Sequence, residues 1–233
     1  MSDTVSFECS EDVAIIRLDD GKANALSPPV LTAIGSALDQ AEEAKLAVLL
    51  TGRPGRFSAG FDLNVMREGG PAAARAMVMD GARLALRIAR FPAPVVIAST
   101  GHALAMGAVL LMAADSRIGA EGEFKIGFNE VAIGMTTPIF LAEMARARMP
   151  NTEFIRGTVQ AEIYSPETAV SAGFYDRTAA PEQLFDRALE EAGRLAKLPR
   201  GAYVRTRAIV RGAALDHIEA TLEQDLTSGF PDS

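Results

Sequence analysis

Three apolar runs of strand length, Val13–Leu18, Leu46–Thr51 and Val95–Ser99, alternate with stretches whose apolar residues return every third or fourth position. The first run is rich in Val and Ile and ends at Asp19-Asp20-Gly21, and Val5–Glu8 forms a further short strand before it. Ser27-Pro28 marks a helix start, with Ser as N-cap and Pro in the first turn. Leu31, Ile34, Leu38 and Ala41 follow at helical spacing, so the pattern predicts an amphipathic helix over residues 28–44. Leu46–Thr51 is apolar throughout, as a strand covered on both faces should be. The Ala- and Arg-rich residues 71–90 predict a second helix. Val95–Ser99, introduced by Pro92 and Pro94, predicts the next buried strand. A helix over 105–114 and a strand over Asp115–Ile118 complete this part.

Strand and helix alternating in this way imply a mostly parallel α/β architecture. Beyond Thr137-Pro138 the strand signal fades. Residues 138–148, 166–172, 182–197 and 216–228 read as helices, with Ser165-Pro166 and Ala180-Pro181 as starts and Gly173 as a stop. The chain therefore divides into an α/β core over residues 1–180 and a helical region over 181–233. No internal repeat or low-complexity linker interrupts it.

A chain of 233 residues can bury a large core. Its net charge of −7 leaves no basic surplus to neutralise phosphates, which argues against a general nucleic-acid partner. The single Cys9 excludes an internal disulfide framework, fits a reducing compartment and reads as a structural residue. Met1-Ser2-Asp3-Thr4 lacks the basic and apolar pattern of a secretory signal, and no apolar stretch is long enough to span a membrane. The expectation is a cytoplasmic protein with no membrane partner.

Candidate chemistry concentrates in three stretches. In Phe57-Ser58-Ala59-Gly60-Phe61-Asp62-Leu63, Gly60 permits a backbone turn that larger residues resist, and a helix opening at Asp62-Leu63 would leave the Phe61 N–H free. A plain loop with Asp62 as N-cap explains the same residues. In Gly101-His102-Ala103-Leu104-Ala105-Met106-Gly107-Ala108, a helix begins after a buried strand, and ordinary packing through small residues is the competing explanation. Two such N–H groups aimed at one point would form an oxyanion hole. Glu130 lies among apolar neighbours between Gly127 and Gly134, where a carboxylate is either paired or has a raised pKa suited to a general base. His102 reads as a local hydrogen-bonding residue, His217 as solvated and Asp115 as a cap or ion-pair partner. The sequence holds no metal-ligand cluster, Ser/His/Asp spacing, GxGxxG or P-loop.

Taken together and in order, Phe57–Leu63, Gly101–Asp115 and Ile126–Gly134 resemble the crotonase (enoyl-CoA hydratase/isomerase) superfamily. Gly21-Lys22-Ala23-Asn24-Ala25-Leu26 is similar to the family's early coenzyme A loop, and Ser165–Phe174 with Pro181-Glu182-Gln183-Leu184 to its approach to the C-terminal helices. The likeness covers residues from about 5 to 215. It implies a crotonase-like ββα spiral core with a C-terminal helical trimerisation region, assembled as a homotrimer or dimer of trimers. It also implies an acyl-CoA thioester as substrate, with no cofactor apart from the coenzyme A the substrate carries. By position, the amides of Phe61 and Met106 would hold the thioester oxygen. Lys22, Ala23, Ala25, Ser58, Ala59, Gly60, Asp62, Leu63, Gly107 and Asn129 would contact substrate or coenzyme.

Departures from the family pattern sharpen the expectation. Hydratases of the family act on water with two glutamates; the second matches Glu130, but Val109 stands at the position of the first. Valine transfers no proton, whereas one carboxylate suffices for a 1,3-proton shift. The segment around Glu130, with Pro138-Ile139-Phe140-Leu141, is closer to Δ3,Δ2-enoyl-CoA isomerases. Ala105-Met106 replaces glycines found in many relatives; any residue except proline keeps the N–H donor, while Met106 would narrow or line the acyl channel. The expected function is an enoyl-CoA isomerase with Glu130 as proton shuttle. The alternatives are a hydratase or CoA-thioester hydrolase of the same fold, or an acyl-CoA-binding protein without turnover.

Overall fold

The structure is a computed structural model that describes residues 4–229. Met1–Asp3, part of the segment without an expected secretory signal, and residues 230–233 of the expected C-terminal region lie outside the described residues.

β1 (Val5–Ser10) and β2 (Val13–Leu18) form an antiparallel hairpin in which Val5 faces Leu18. β2 then pairs in parallel with β3 (Ala47–Thr51), which begins a parallel run through β5 (Val95–Ser99), β7 (Ser116–Ala120) and β9 (Arg177–Ala179). The large sheet thus has the order β1-β2-β3-β5-β7-β9. A second, smaller sheet contains β4 (Gly55–Ser58), β6 (Gly101–Leu104) and β8 (Ile126–Gly127), all parallel. The helices are α1 (Pro28–Glu43), α2 (Leu63–Arg90), α3 (Met106–Ala113), α4 (Ile139–Arg146), α5 (Asn151–Thr158), α6 (Pro166–Ala172), α7 (Pro181–Ala196) and α8 (Arg200–Gly229).

Chain order and sheet order together reveal one unit repeated three times. β3-β4-α2, β5-β6-α3 and β7-β8-α4 each send a strand to the large sheet, a strand to the small sheet, and then a helix. This is the expected ββα spiral. β3, β5 and β7 are buried along their whole length; β3 and β5 are accordingly apolar almost without alternation, whereas β7 carries Arg117, paired with Asp176 at 2.6 Å. One face of the large sheet packs on α1, α2 and α3 through residues such as Ile16, Leu50, Ile34 and Ile88. The other face packs on α7, whose Leu184, Ala188 and Ala192 recur one turn apart against Ile15, Leu49 and Val96. α8 lies against α2 and α4.

Several boundaries differ from the sequence reading. α2 opens at Leu63, where the Asp62-Leu63 pattern allows a helix start, and takes in the helix predicted over 71–90; Gly70 inside it has φ 70° and ψ −172°, so Pro71 restarts a broken helix. α8 runs from Arg200, well before residue 216, and the strand expected at Asp115–Ile118 is Ser116–Ala120. β4, β6, β8, β9 and α5 were not expected. Cys9 is exposed on the edge strand β1 and is not a packed structural residue. No described helix is long and apolar enough to cross a membrane.

Candidate active site

The three spiral turns change from strand to helix at one place. The β4–α2 junction is Ala59-Gly60-Phe61-Asp62, the β6–α3 junction is Ala105, and the segment after β8 is Phe128-Asn129-Glu130. Residues from all three line a single cleft of about 250 Å³, together with Ala25.

At the first junction, Gly60 has φ 90°, and Asp62 caps α2 by accepting a hydrogen bond from the Asn64 amide at 2.9 Å. Leu26 clasps this turn: its amide donates to the Gly60 carbonyl at 2.8 Å, and its carbonyl accepts from Asp62 at 3.4 Å. The bonds pass on either side of the Phe61 N–H, which donates to no backbone carbonyl among the described residues. At the second junction, Met106 opens α3, where a first-turn N–H has no intrahelical acceptor. The two turns nearly touch. A Cβ on Gly60 would lie 2.8 Å from the Ala105 Cβ and 3.3 Å from the Met106 nitrogen. One on Gly107 would lie 2.6 Å from the Ser58 carbonyl oxygen. Only glycine allows the approach at these two positions.

Residues of the Asp20–Ala25 loop hold this geometry from behind. Buried Asn24 donates from its carboxamide to the carbonyls of Leu18, Arg56 and Phe57, and its own carbonyl accepts from Ser58 Oγ at 2.8 Å. Asp20 accepts from the amides of Lys22, Asn24 and Ala25. Burial pulls the Asp20 pKa upward, but these amides, with Arg53, outweigh it and hold the carboxyl below its usual range.

Glu130 is 9% exposed, and its Oε2 has no hydrogen-bond partner among the described residues; the same holds for the buried Oδ1 of Asn129. Burial raises the Glu130 pKa from the usual 4.5 to about 7, and backbone hydrogen bonds at Glu130 and Asn129 oppose the shift only in part. Among the described residues no cation lines the cleft, and Asp62 is the only other ionisable group there. Val109 stands one turn beyond Met106 on the same face of α3 and presents an aliphatic side chain to the cleft. Buried acceptors without donors are rare, and here they point to an incoming group.

Of the residues anticipated from the sequence, Ala25, Ala59, Phe61, Asp62, Leu63, Met106, Asn129 and Glu130 line the cleft. Ser58, Gly60 and Gly107 instead build the turns behind it. Lys22 and Ala23 do not line it; Lys22 is exposed, and the Ala23 carbonyl accepts from Ala59. His102 is also apart, its Nδ1 accepting from the Lys125 amide and its ring edge-on to Phe124. Sequence reading missed the apolar wall made by Met66, Val78, Ile133 and Met135. A cleft wall and a core face have the same composition, so no local signal marks it. Among the described residues no three His, Cys, Asp or Glu side chains gather to hold a metal.

A profile of the enoyl-CoA hydratase/isomerase family matches residues 8–229. A solved enoyl-CoA hydratase/isomerase family protein from Pseudomonas syringae is 43% identical and superposes with a TM-score of 0.95, covering 98% of this chain and 99% of that one. Mouse mitochondrial enoyl-CoA delta isomerase 1 is 27% identical over 95% of this chain and 78% of its own length. The short-chain-enoyl-CoA hydratase of Clostridium acetobutylicum is 28% identical over 91% of this chain and 83% of its own. Isomerases and hydratases thus stand at similar distances from this chain. The chain belongs to the enoyl-CoA hydratase/isomerase family.

Proposed function

We propose that the protein is an enoyl-CoA isomerase that moves the double bond of a 3-enoyl-CoA to the 2-position. The observation that carries this reading is a single buried carboxyl in an apolar cleft, with Val109 rather than a second acid across from it. In the proposed reaction the thioester oxygen lies between the amides of Phe61 and Met106. Glu130 takes a proton from C2, and the electrons pass into an enolate whose oxygen the two N–H groups stabilise. The same carboxyl then returns the proton at C4, and the double bond closes between C2 and C3. Loss of one oxyanion donor costs about 3–4 kcal/mol of transition-state stabilisation in comparable sites. A pKa near 7 lets Glu130 both accept and return the proton at neutral pH.

Ala25 and the largely exposed Leu63 line the cleft, which suits an acyl-CoA whose nucleotide end stays outside, and no further cofactor enters the scheme. Assembly as a trimer or a dimer of trimers belongs to the same reading; Ile209 and Val210 on α8, 84% and 75% exposed, are candidates for subunit contact. Light scattering gives the mass directly.

The test offers the enzyme a 3-enoyl thioester and a 2-enoyl thioester in parallel, following conjugation by absorbance and added water by mass. Conjugation of the first without hydration or hydrolysis of either supports the isomerase. Rapid water addition to the 2-enoyl thioester would establish a hydratase instead, hydrolysis would establish a thioesterase, and tight binding without turnover would leave a binding protein.

A further inference from the structure

α3 is an eight-residue helix with every side chain buried and none of them charged. At its first residue lies the amide assigned to the thioester oxygen. Its last carbonyls have no solvent, yet a buried helix end needs partners. Two arginines from distant parts of the chain supply them. Arg211 of α8 donates to the carbonyls of Ala113 at 2.8 Å and Met112 at 2.9 Å. Arg148, just after α4, donates to Met112 at 3.4 Å and also to Ala114.

The surrounding charges do not cancel this pair. Asp115 lies 2.7 Å from Arg207 and 4.0 Å from Arg211, while Asp176 pairs with Arg117 at 2.6 Å. Among the described residues four guanidiniums therefore face two carboxylates, and the hydrogen bonds of Arg148 go to carbonyls. An eight-residue helix is about 12 Å long, with roughly half a positive charge at its start and half a negative one at its end. In a buried helix the negative end would subtract from the field at the start. Cations placed on that end remove the subtraction.

We propose that Arg148 and Arg211 are positioning residues for the reaction: through α3 they hold Met106 in place and cancel the helix's negative end, so that its positive end acts in full on the cleft. The proposal rests on the assigned role of Met106. It has a consequence at Glu130, which shares the cleft with Met106 and Val109 and faces no cation there. Removing positive charge from the far end of α3 should make the Glu130 carboxylate harder to form.

The experiment compares Arg148→Gln and Arg211→Gln with Arg148→Lys and Arg211→Lys. The Glu130 titration is read by NMR of carboxyl-labelled glutamate, with Glu130→Gln assigning the signal. The Gln variants should raise the midpoint by about half a pH unit and lower kcat about 3- to 10-fold with KM nearly unchanged. The Lys variants should stay within about 0.2 pH unit of the wild type. Thr206→Glu, an exposed position lining the groove over Arg148 and Arg211, adds negative charge while keeping both arginines in the chain and should raise the midpoint in the same direction. It serves also if the Gln variants do not fold. An unmoved midpoint in Thr206→Glu and in whichever Gln variants fold overturns the proposal, as does an equal shift in Lys and Gln variants, which would mean packing alone. The titration is read without substrate. A midpoint that moves in an enzyme that converts no enoyl thioester would therefore count against the isomerase and leave the electrostatic link standing.

Discussion

The chain enters α2 and α3 by opposite means, although both entrances open on one cleft. At α2 the backbone is relaxed: a glycine supplies the positive φ of 90°, Asp62 caps the helix, and the first turns are largely exposed, with Leu63 at 62%. At α3 no side chain caps the helix, every helical residue is buried, and the positive φ of 49° falls on Ala105, with ψ −124°. Such a conformation costs an L-residue about 1–3 kcal/mol and persists only where its surroundings enforce it. Here the surroundings are the buried helix itself and the arginines on its far end. Local chemistry sets the first donor, and tertiary packing sets the second.

The most damaging change to this arrangement is Gly60→Ala. Its Cβ would lie 2.8 Å from the Ala105 Cβ, at a φ that L-residues rarely adopt. The two entrances should be forced apart, with a stability loss of about 3 kcal/mol by denaturant unfolding. Turnover should fall at least 100-fold. An active, stable variant would show that the two turns do not need their close approach.

The third junction gives a pH signature. Because the folded-state pKa of Glu130 is raised from 4.5 to about 7, the folded protein holds this proton more tightly than the unfolded chain does. The contribution is therefore stabilising at low pH and is lost as pH rises from about 4.5 through 7. Relative to the wild type, Glu130→Gln should gain up to about 3 kcal/mol at pH 8 compared with pH 4.5. Parallel stability curves for the two proteins over that range would place the carboxyl in water.

Smaller effects separate the two entrances themselves. Asp62→Ala removes the α2 cap and should cost about 1 kcal/mol in melting experiments. Ala105→Gly should be neutral or stabilising by up to about 1 kcal/mol, since relief of strain outweighs the added freedom of the unfolded chain. A clear destabilisation would mean that the Ala105 backbone carries no strain.

The same contrast explains how much was legible in the sequence. β2, β3, β5 and α1 declared themselves through apolar runs and helical spacing, while β9, with three residues, did not. The first entrance was readable through Gly60 and Asp62, which have local roles. The small sheet was not: β4, β6 and β8 have four, four and two residues, too few to show a period. Only Thr100 separates β6 from β5, so a change of sheet looks like one strand running on. The part of α2 after Gly70 was legible over 71–90 and its opening at Asp62-Leu63 through the cap, but the exposed turns between them carry no apolar stripe and left no pattern. The first half of α8 was lost for the inverse reason: it buries Arg207 and exposes Ile209 and Val210, against the usual pattern. Glu130 was found from its apolar neighbours and the family resemblance. The orphaned oxygen beside it is a fact of packing that no local pattern encodes.

The most direct test is a crystal structure with an unreactive saturated acyl-CoA bound. The account predicts the thioester oxygen about 3 Å from both the Phe61 and Met106 nitrogens, with a Glu130 oxygen over C2. A thioester oxygen bonded elsewhere, or a C2 carbon out of reach of Glu130, would contradict it.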